Sequence, residues 1–301
     1  MHGRYKLAKY HRPPAMAWRA ITIVVMGALV LGACGDGDEE GAGEDGTIVY
    51  AVGDAGDGGA EAAKLASYVE DQDPERFFYL GDVYETGTAD DFKRNYDPLY
   101  GDLADRTDPV IGNHEYANDH EGYYPYWEGK RGWTKAQAKH RSYIDAESGW
   151  QVIAYSSETD AAAEARWVRR QLDKQDGTCR VAIAHRARYS VADSEHTDNV
   201  DQKPIWNALA GRTAINLAAH SHVYGRLEPI EGVNVIVSGQ GGHDIRELGP
   251  QAHEVAESTA GATSVTRLVL RPGEAELTQV GPGGKTYDSA TIACERADDN
   301  P

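Results

Sequence analysis

The sequence holds no apolar run of the ~20 residues that a membrane-spanning helix needs. The nearest approach, "AITIVVMGALVL" (20–31), falls well short, so no segment reads as embedded in a bilayer. Basic charge is also in deficit: 30 Lys and Arg against 48 Asp and Glu give a net charge of −18. Such a surface repels polyanions, which excludes nucleic acid as a general partner. Phosphate chemistry is not excluded, because bound metal ions can supply local positive charge. Phe is scarce, at 3 residues, but 17 Tyr and 6 Trp replace it, and apolar residues make up 41% of the 301. That is enough for a packed core and argues against global disorder. There is no internal repeat. Cysteine is limited to three residues, an odd number that needs explaining.

Acid is absent from the first 33 residues, which carry Arg4, Lys6, Lys9, Arg12 and Arg19 ahead of the short apolar run. A basic start, a short apolar segment and small residues before a cut read as a secretory signal. "LGAC" (31–34) resembles the lipobox of bacterial lipoproteins. The resemblance implies lipid on Cys34 after cleavage, and export to the outer face of a bacterial cytoplasmic membrane. Cys179 and Cys294 then remain, in an oxidising compartment where a disulfide is allowed. A bridge between them, or one buried and one tail thiol, are both open. Residues 35–46, "GDGDEEGAGEDG", are glycine and acid only and read as a solvated tether. The expected organisation is a signal over 1–33, a tether over 34–46 and one folded domain over 47–301.

Within that domain, near-continuous apolar runs alternate with helical patterns. "TIVYAVGD" (47–54), "RFFYLGD" (76–82), "CRVAIAH" (179–185), "TAINLAAHSH" (213–222) and "VNVIVSGQGG" (233–242) read as buried strands, and "TDPVIGNHE" (107–115) as a further strand approach. "GAEAAKLASYVED" (59–71) and "PIWNALAG" (204–211) read as helices. So does "DAAAEARWVRRQLDKQ" (160–175), where Ala165, Val168 and Leu172 share a face. Hairpins are expected around Glu147–Gly149 and around the Pro-Gly of "SVTRLVLRPGEAELTQV" (264–280). This pattern predicts an α/β fold with buried sheets.

Polar residues cluster at the exits of these strands: Asp54, Asp82, Asn113, His185, His220 and His222. Ligands of open α/β sheets collect at the carboxyl ends of strands, and carboxylate, amide oxygen and imidazole together suit a divalent transition metal. Taken singly, a Gly-Asp after a strand is commonly a turn and a lone His commonly structural. The ordered set is hard to obtain by accident. "GD" (53–54), "GD" (81–82), "GNHE" (112–115), His185 and "HSH" (220–222) resemble, in order, the motifs of the calcineurin-like metallophosphoesterases. The likeness runs over roughly 47–243 and looks closest to the purple acid phosphatase-like branch with its secreted bacterial members.

That resemblance implies a four-layer α/β/β/α sandwich with metal ligands at the C-terminal ends of strands. It implies two divalent or trivalent ions (Fe, Mn or Zn). Asp82 would bridge them, Asp54 and His222 would hold one, and Asn113, His185 and His220 the other. His114 would face the substrate as proton donor. The implied reaction is hydrolysis of a small phosphate ester, a phosphomonoester above all, by hydroxide that the metals activate. No covalent intermediate is needed, so no Ser-His-Asp or reactive-Cys signature is required. A degenerate member that binds metal or ligand without turnover is the alternative.

The sequence departs from the branch at the residues after Asp82. The branch places a Tyr three positions on, whereas here position 84 is Tyr and position 85 is Glu. Either Tyr84 or Glu85 could complete the first ion's shell. An extended chain would turn Tyr84 toward the metals with Asp82, and a helical turn would bring Glu85. Among the remaining candidates, the aromatics from Tyr116 to Trp133 read as packing for a long loop. His140 and His196 read as surface residues and Arg226 as a structural ion-pair partner, while His243, after the glycine-rich exit, reads first as a loop residue, with an approach to the site as the alternative.

Overall fold

The computed structural model describes residues 46–175, 179–191, 198–246, 248, 253–259 and 261–294. The expected signal segment, Cys34, nearly all of the tether, and His196 lie outside the described residues. Among the described residues no helix is long and apolar enough to cross a membrane.

Two mixed sheets carry the fold. The first contains β1 (Thr47–Val52), β2 (Arg76–Tyr79) and β3 (Thr107–Pro109), all parallel. The second contains β4 (Arg141–Ile144), β5 (Gln151–Ala154), β6 (Arg180–Ile183), β7 (Ile215–Ala218), β8 (Tyr224–Leu227), β9 (Asn234–Ser238) and β10 (Val255–Thr259). The chain then returns to the first sheet as an antiparallel meander of β11 (Val265–Arg271), β12 (Glu274–Val280) and β13 (Thr286–Ala293). The strand orders are β13-β12-β11-β1-β2-β3 and β10-β8-β9-β7-β6-β5-β4. In the second sheet β5, β6, β7 and β9 are parallel. The carboxyl ends that bear the candidate ligands therefore belong to parallel neighbours in both sheets.

Side-chain alternation builds four layers from these strands. On β1, Val49 and Ala51 enter the core between the sheets, while Tyr50 and Val52 enter the outer core with Leu65 and Val69 of helix Ala60–Asp71. On β5 and β6, Val152, Ala154, Val181 and Ile183 face inward. Ile153 and Ala182 pack outward on Ala165, Val168 and Leu172 of helix Ala161–Leu172. The order helix, sheet, sheet, helix is the sandwich expected.

Three details differ from expectation. The aromatic stretch does pack, but as helices Tyr123–Arg131 and Lys135–Lys139 rather than as a loop, with Tyr123 and Trp127 buried against the outer face of the first sheet. His140 is not a surface residue: it stacks on Trp167 at 4.2 Å and lies 3.1 Å from the buried Glu164. Strands β8, β10 and β13 were not read from the sequence. Arg226 does form the expected structural pair, with Nε and Nη2 donating to Asp288 at 2.8 and 3.0 Å while the Tyr224 hydroxyl donates to the same carboxylate.

This last cluster joins β8 to β13 and so ties the two sheets. Burial would raise the Asp288 carboxyl, but the hydrogen bonds from Arg226 and Tyr224 outweigh it and hold it below the ordinary carboxylate range. A depressed folded value means stability that is complete above about pH 4 and lost as pH falls through the lower folded value. Asp288→Asn is expected to cost about 2 kcal/mol at neutral pH. It should also flatten the acid limb of the urea midpoint against pH; an unchanged limb would remove Asp288 from the account of acid unfolding.

Candidate metal centre

The site forms where β1, β2 and β3 of one sheet and β6, β7 and β9 of the other release their chains. Asp54 and Asp82 leave β1 and β2 with φ of 55° and 64°, and His220 and His222 follow β7 with φ of 69° and 46°. Four non-glycine residues in the left-handed region at one locus is a concentration of strain of the kind found at functional sites. The preceding glycine is a steric need at Gly112, where a Cβ would stand 2.0 Å from Asp82 Oδ1.

The side chains of all the predicted positions converge. Asp82 is central: its Oδ2 lies 3.3 Å from His185 Nε2 and 3.3 Å from the Tyr84 hydroxyl, and its Oδ1 accepts from the His114 backbone N–H at 3.0 Å. On one side, the Tyr84 hydroxyl is 2.8 Å from Asp54 Oδ1 and 3.0 Å from His222 Nε2, and those last two atoms are 3.5 Å apart. On the other side, Asn113 Oδ1 is 3.0 Å from His185 Nε2. Asp82 thus stands between the two groups of side chains. On the Tyr84-or-Glu85 question, the chain leaves Asp82 with a left-handed backbone and is fixed at Val83 by a parallel bridge to Gly56, and the Tyr84 hydroxyl is the group that reaches Asp54, Asp82 and His222. Glu85 is exposed and offers only its carbonyl oxygen, which accepts from His114 Nδ1.

Two of the imidazoles are aimed by backbone carbonyls. His185 Nδ1 donates to Leu80 O at 2.8 Å and His222 Nδ1 to Asp244 O at 3.1 Å. A carbonyl can only accept, so each Nδ1 carries a proton, which leaves Nε2 as the ring nitrogen that a metal could take. Asp54 and Asp82 are 0% and 1% exposed, and neither has a Lys or Arg ion pair among the described residues. Buried acceptors facing one another without a balancing cation fit a metal ion. Spacings of 2.8–3.5 Å around Tyr84, Asp54 and His222 suit donors ~2.1 Å from one ion. Without the ion, charge is balanced within the protein. Burial would raise Asp82 and lower His185, but their attraction wins, so Asp82 falls well below the carboxylate range and His185 rises to about 10. Metal binding must displace that proton.

The second set fits less completely. Asp82, His185 and His220 offer ligand atoms within 4.8 Å of one another, with Asn113 beside them. His220 Nε2, however, is already engaged by Arg186 Nη1 at 2.8 Å.

Two site residues, Glu115 and Arg186, escaped the sequence reading, and a third, His243, was placed second to a loop role. Glu115, 1% exposed, accepts backbone N–H groups from Gly112 at 2.7 Å, from Asp82 at 3.2 Å and from Val83, and so locks the two ligand loops together. Burial, then the charge of Asp82, pushes its carboxyl up to about 8. Its signal was present, since a Glu three residues after Gly112 is a capping-box spacing. His243 stacks on Tyr84 with ring centroids 3.5 Å apart, which is the less favoured of its two sequence readings, and faces Asp57 at 3.5 Å. Arg186 had no sequence signal beyond following His185.

No family model matches the chain, and no curated protein matches it in sequence. Solved structures do match. The fold is similar to GAP50, "the anchor in the inner membrane complex of Plasmodium", with a TM-score of 0.68 and 10% identity, over 83% of this chain and 89% of that one. It is also similar to a dimetal phosphatase from Danio rerio, with a TM-score of 0.58 and 12% identity, over 83% and 99% of the two chains. The likeness is one of fold: an α/β architecture with two mixed sheets, shared with that dimetal phosphatase.

Proposed function

We propose that the chain is a metal-dependent phosphoric ester hydrolase acting on phosphomonoesters. The observation that carries this reading is the convergence of Asp54, Asp82, Tyr84 and His222 on one point, with Asn113, His185 and His114 around it. Bound metal supplies Lewis acidity that activates water and draws charge from the phosphoryl oxygens. The protein groups do the rest. Asp82 fixes the two halves of the site. Asn113 adds an oxygen donor without adding charge, which keeps the site receptive to a dianion. His114 keeps its Nδ1–H on the Glu85 carbonyl, and its Nε2 stands 3.8 Å from Asp82 Oδ2. Its side chain is 32% exposed, so it meets an incoming substrate and, when protonated, can give a proton to the leaving oxygen.

The test is turnover of p-nitrophenyl phosphate by the purified full chain loaded with Mn, Zn or Fe. Metal binding without turnover in every case would favour the alternative, a metal- or ligand-binding protein. His114→Ala is expected to lower kcat by about 10²–10³-fold while leaving metal content unchanged; metal loss would assign it to the ligand set instead. The reading includes an exported protein held at the membrane by lipid on Cys34, motivated by the residues of 1–34. Cys34→Ala is then expected to move the protein from the membrane fraction to the soluble one, and persistent membrane association would refute the anchor.

A further inference from the structure

We propose that Arg186 takes the place of a second metal ion. The chain would bind one ion tightly, at Asp54, Asp82, Tyr84 and His222, and present the Arg186 guanidinium to the phosphoryl group as the second cation. The role toward the phosphoryl group rests on the phosphatase reading; the metal count does not.

The argument is one of lone pairs. A guanidinium has donors only, and a neutral imidazole has one lone pair. With Arg186 Nη1 2.8 Å from His220 Nε2, that nitrogen is the acceptor and the ring proton sits on Nδ1. Neither ring nitrogen can then bind a metal. A second ion at Asp82, His185 and Asn113 would lose its fourth protein ligand and would also lie close to a fixed positive charge.

Arg186 is held in this place from behind. Its Nε donates to Glu158 Oε1 at 2.9 Å and its backbone N–H to Ser157 Oγ at 2.9 Å, and Ser157 Oγ in turn donates to Glu158 at 3.0 Å. The side chain is 28% exposed and Glu158 8%, so the pair is ordered yet open on one side. That side is a cavity of about 560 Å³ lined by Arg186, Glu158, His220 and Ser221 among others. A phosphate ester that reaches the site from this side would meet the guanidinium, whose planar fork suits phosphate oxygens. Sequence placed the doubt about metal count at the Asp54 ion, for want of a fourth ligand. Tyr84 fills that shell, and the doubt moves to His220.

The experiment measures metal stoichiometry on the purified full chain, by elemental analysis and by calorimetric titration with Mn²⁺ and Zn²⁺. One tight equivalent is expected, with any second at least roughly 100-fold weaker; two equivalents of similar affinity would overturn the proposal. Removing Arg186 alone frees Glu158 to act as a new ligand, so the informative variant is Arg186→Ala with Glu158→Gln. It is expected to gain a second tight equivalent, and a count that stays at one overturns the proposal. If that variant does not fold, Arg186→Lys serves. Its single ammonium cannot hold Glu158 and His220 together, and it should raise the affinity for the second ion about tenfold or more, with no gain counting against the idea. Nitrogen-15 NMR of the metal-free wild type should show His220 as the Nδ1–H tautomer, and the opposite tautomer would contradict the contact. Inorganic phosphate binding at one metal equivalent should weaken roughly tenfold in the double variant; unchanged affinity removes the phosphoryl role. Should no ester be turned over, the phosphatase reading fails while the stoichiometry still stands or falls by itself.

Discussion

Asp82→Asn is expected to lower kcat/KM for p-nitrophenyl phosphate by about 10³-fold or more and to strip the protein of metal under conditions where the wild type retains it. The size follows from position. Asp82 is 1% exposed, and its Oδ2 is equidistant, at 3.3 Å, from His185 Nε2 and the Tyr84 hydroxyl. One carboxylate oxygen therefore faces both halves of the site. Asparagine keeps the shape and can still accept the His114 backbone N–H that Asp82 Oδ1 receives at 3.0 Å. The loops held by Glu115 therefore stay in place, and the loss is one of charge rather than of folding. Two observations separate the cases. Metal loss with an unchanged urea midpoint is the expected pair. Unchanged turnover would rule out Asp82 as the centre of the site, and unfolding would make it a structural residue. His114→Ala provides the contrast, since it should lose rate and keep metal.

The position of Asp82 was readable because of where it sits in the chain. An apolar run that ends in Gly-Asp can be located without coordinates, and parallel strands must bring their carboxyl ends to one edge. Asp54, Asn113, His185, His220 and His222 were legible for the same reason. What the strand pattern does not carry is the path of the chain after each exit. The path through Val83, left-handed at Asp82, depends on its bridge to Gly56, some thirty residues earlier, so choosing Tyr84 over Glu85 required tertiary contact. The approach of His243 was likewise undecided in sequence: its backbone N–H donates to Asp54 O at 3.2 Å, which turns the glycine-rich exit of β9 back across Tyr84. The helices over 123–139 were hidden because their buried face is aromatic and short rather than aliphatic and periodic. Strand β13 escaped because its burial pattern exposes most positions, leaving Asp288 and Ile292 as its buried residues.

The left-handed backbone at Asp54, Asp82, His220 and His222 adds a second line of reasoning. Such conformations cost of order 1–3 kcal/mol each, and they persist only where surrounding contacts fix them. Those contacts are visible: Asp54 Oδ2 accepts the His220 N–H at 2.8 Å, and the Asp54 N–H donates to Gly81 O at 3.1 Å. The two sheets therefore hold each other's ligands in place through backbone groups. A metal ion meets donors already oriented, and little ordering is left to oppose its binding.

That dependence on the joint between sheets makes removal of the disulfide the largest expected loss of stability. Cys179 leads into β6 of the second sheet and Cys294 follows β13 of the first; they are bonded, with Cα atoms 5.6 Å apart across 115 residues of chain. The sequence had left open whether they pair. Closing a loop of that length restricts the unfolded chain by about 4–5 kcal/mol on the chain-entropy account. Strand β13 is also an edge strand, paired among the described residues to β12 alone, and it reaches the second sheet at Asp288 near one end and at Cys294 beyond the other. Cys179→Ser with Cys294→Ser, or reduction of the wild type, is expected to cost about 2–5 kcal/mol, read as a lower urea midpoint. Hydrogen exchange should show the β13 amides opening first. Because both attachments restrain one strand, losing the disulfide and losing Asp288 should be less than additive: once β13 peels away, the second attachment has nothing left to hold. A urea midpoint insensitive to reductant would mean that the sheets are joined by their shared apolar core alone. Strict additivity with Asp288→Asn would mean that β13 does not move as a unit.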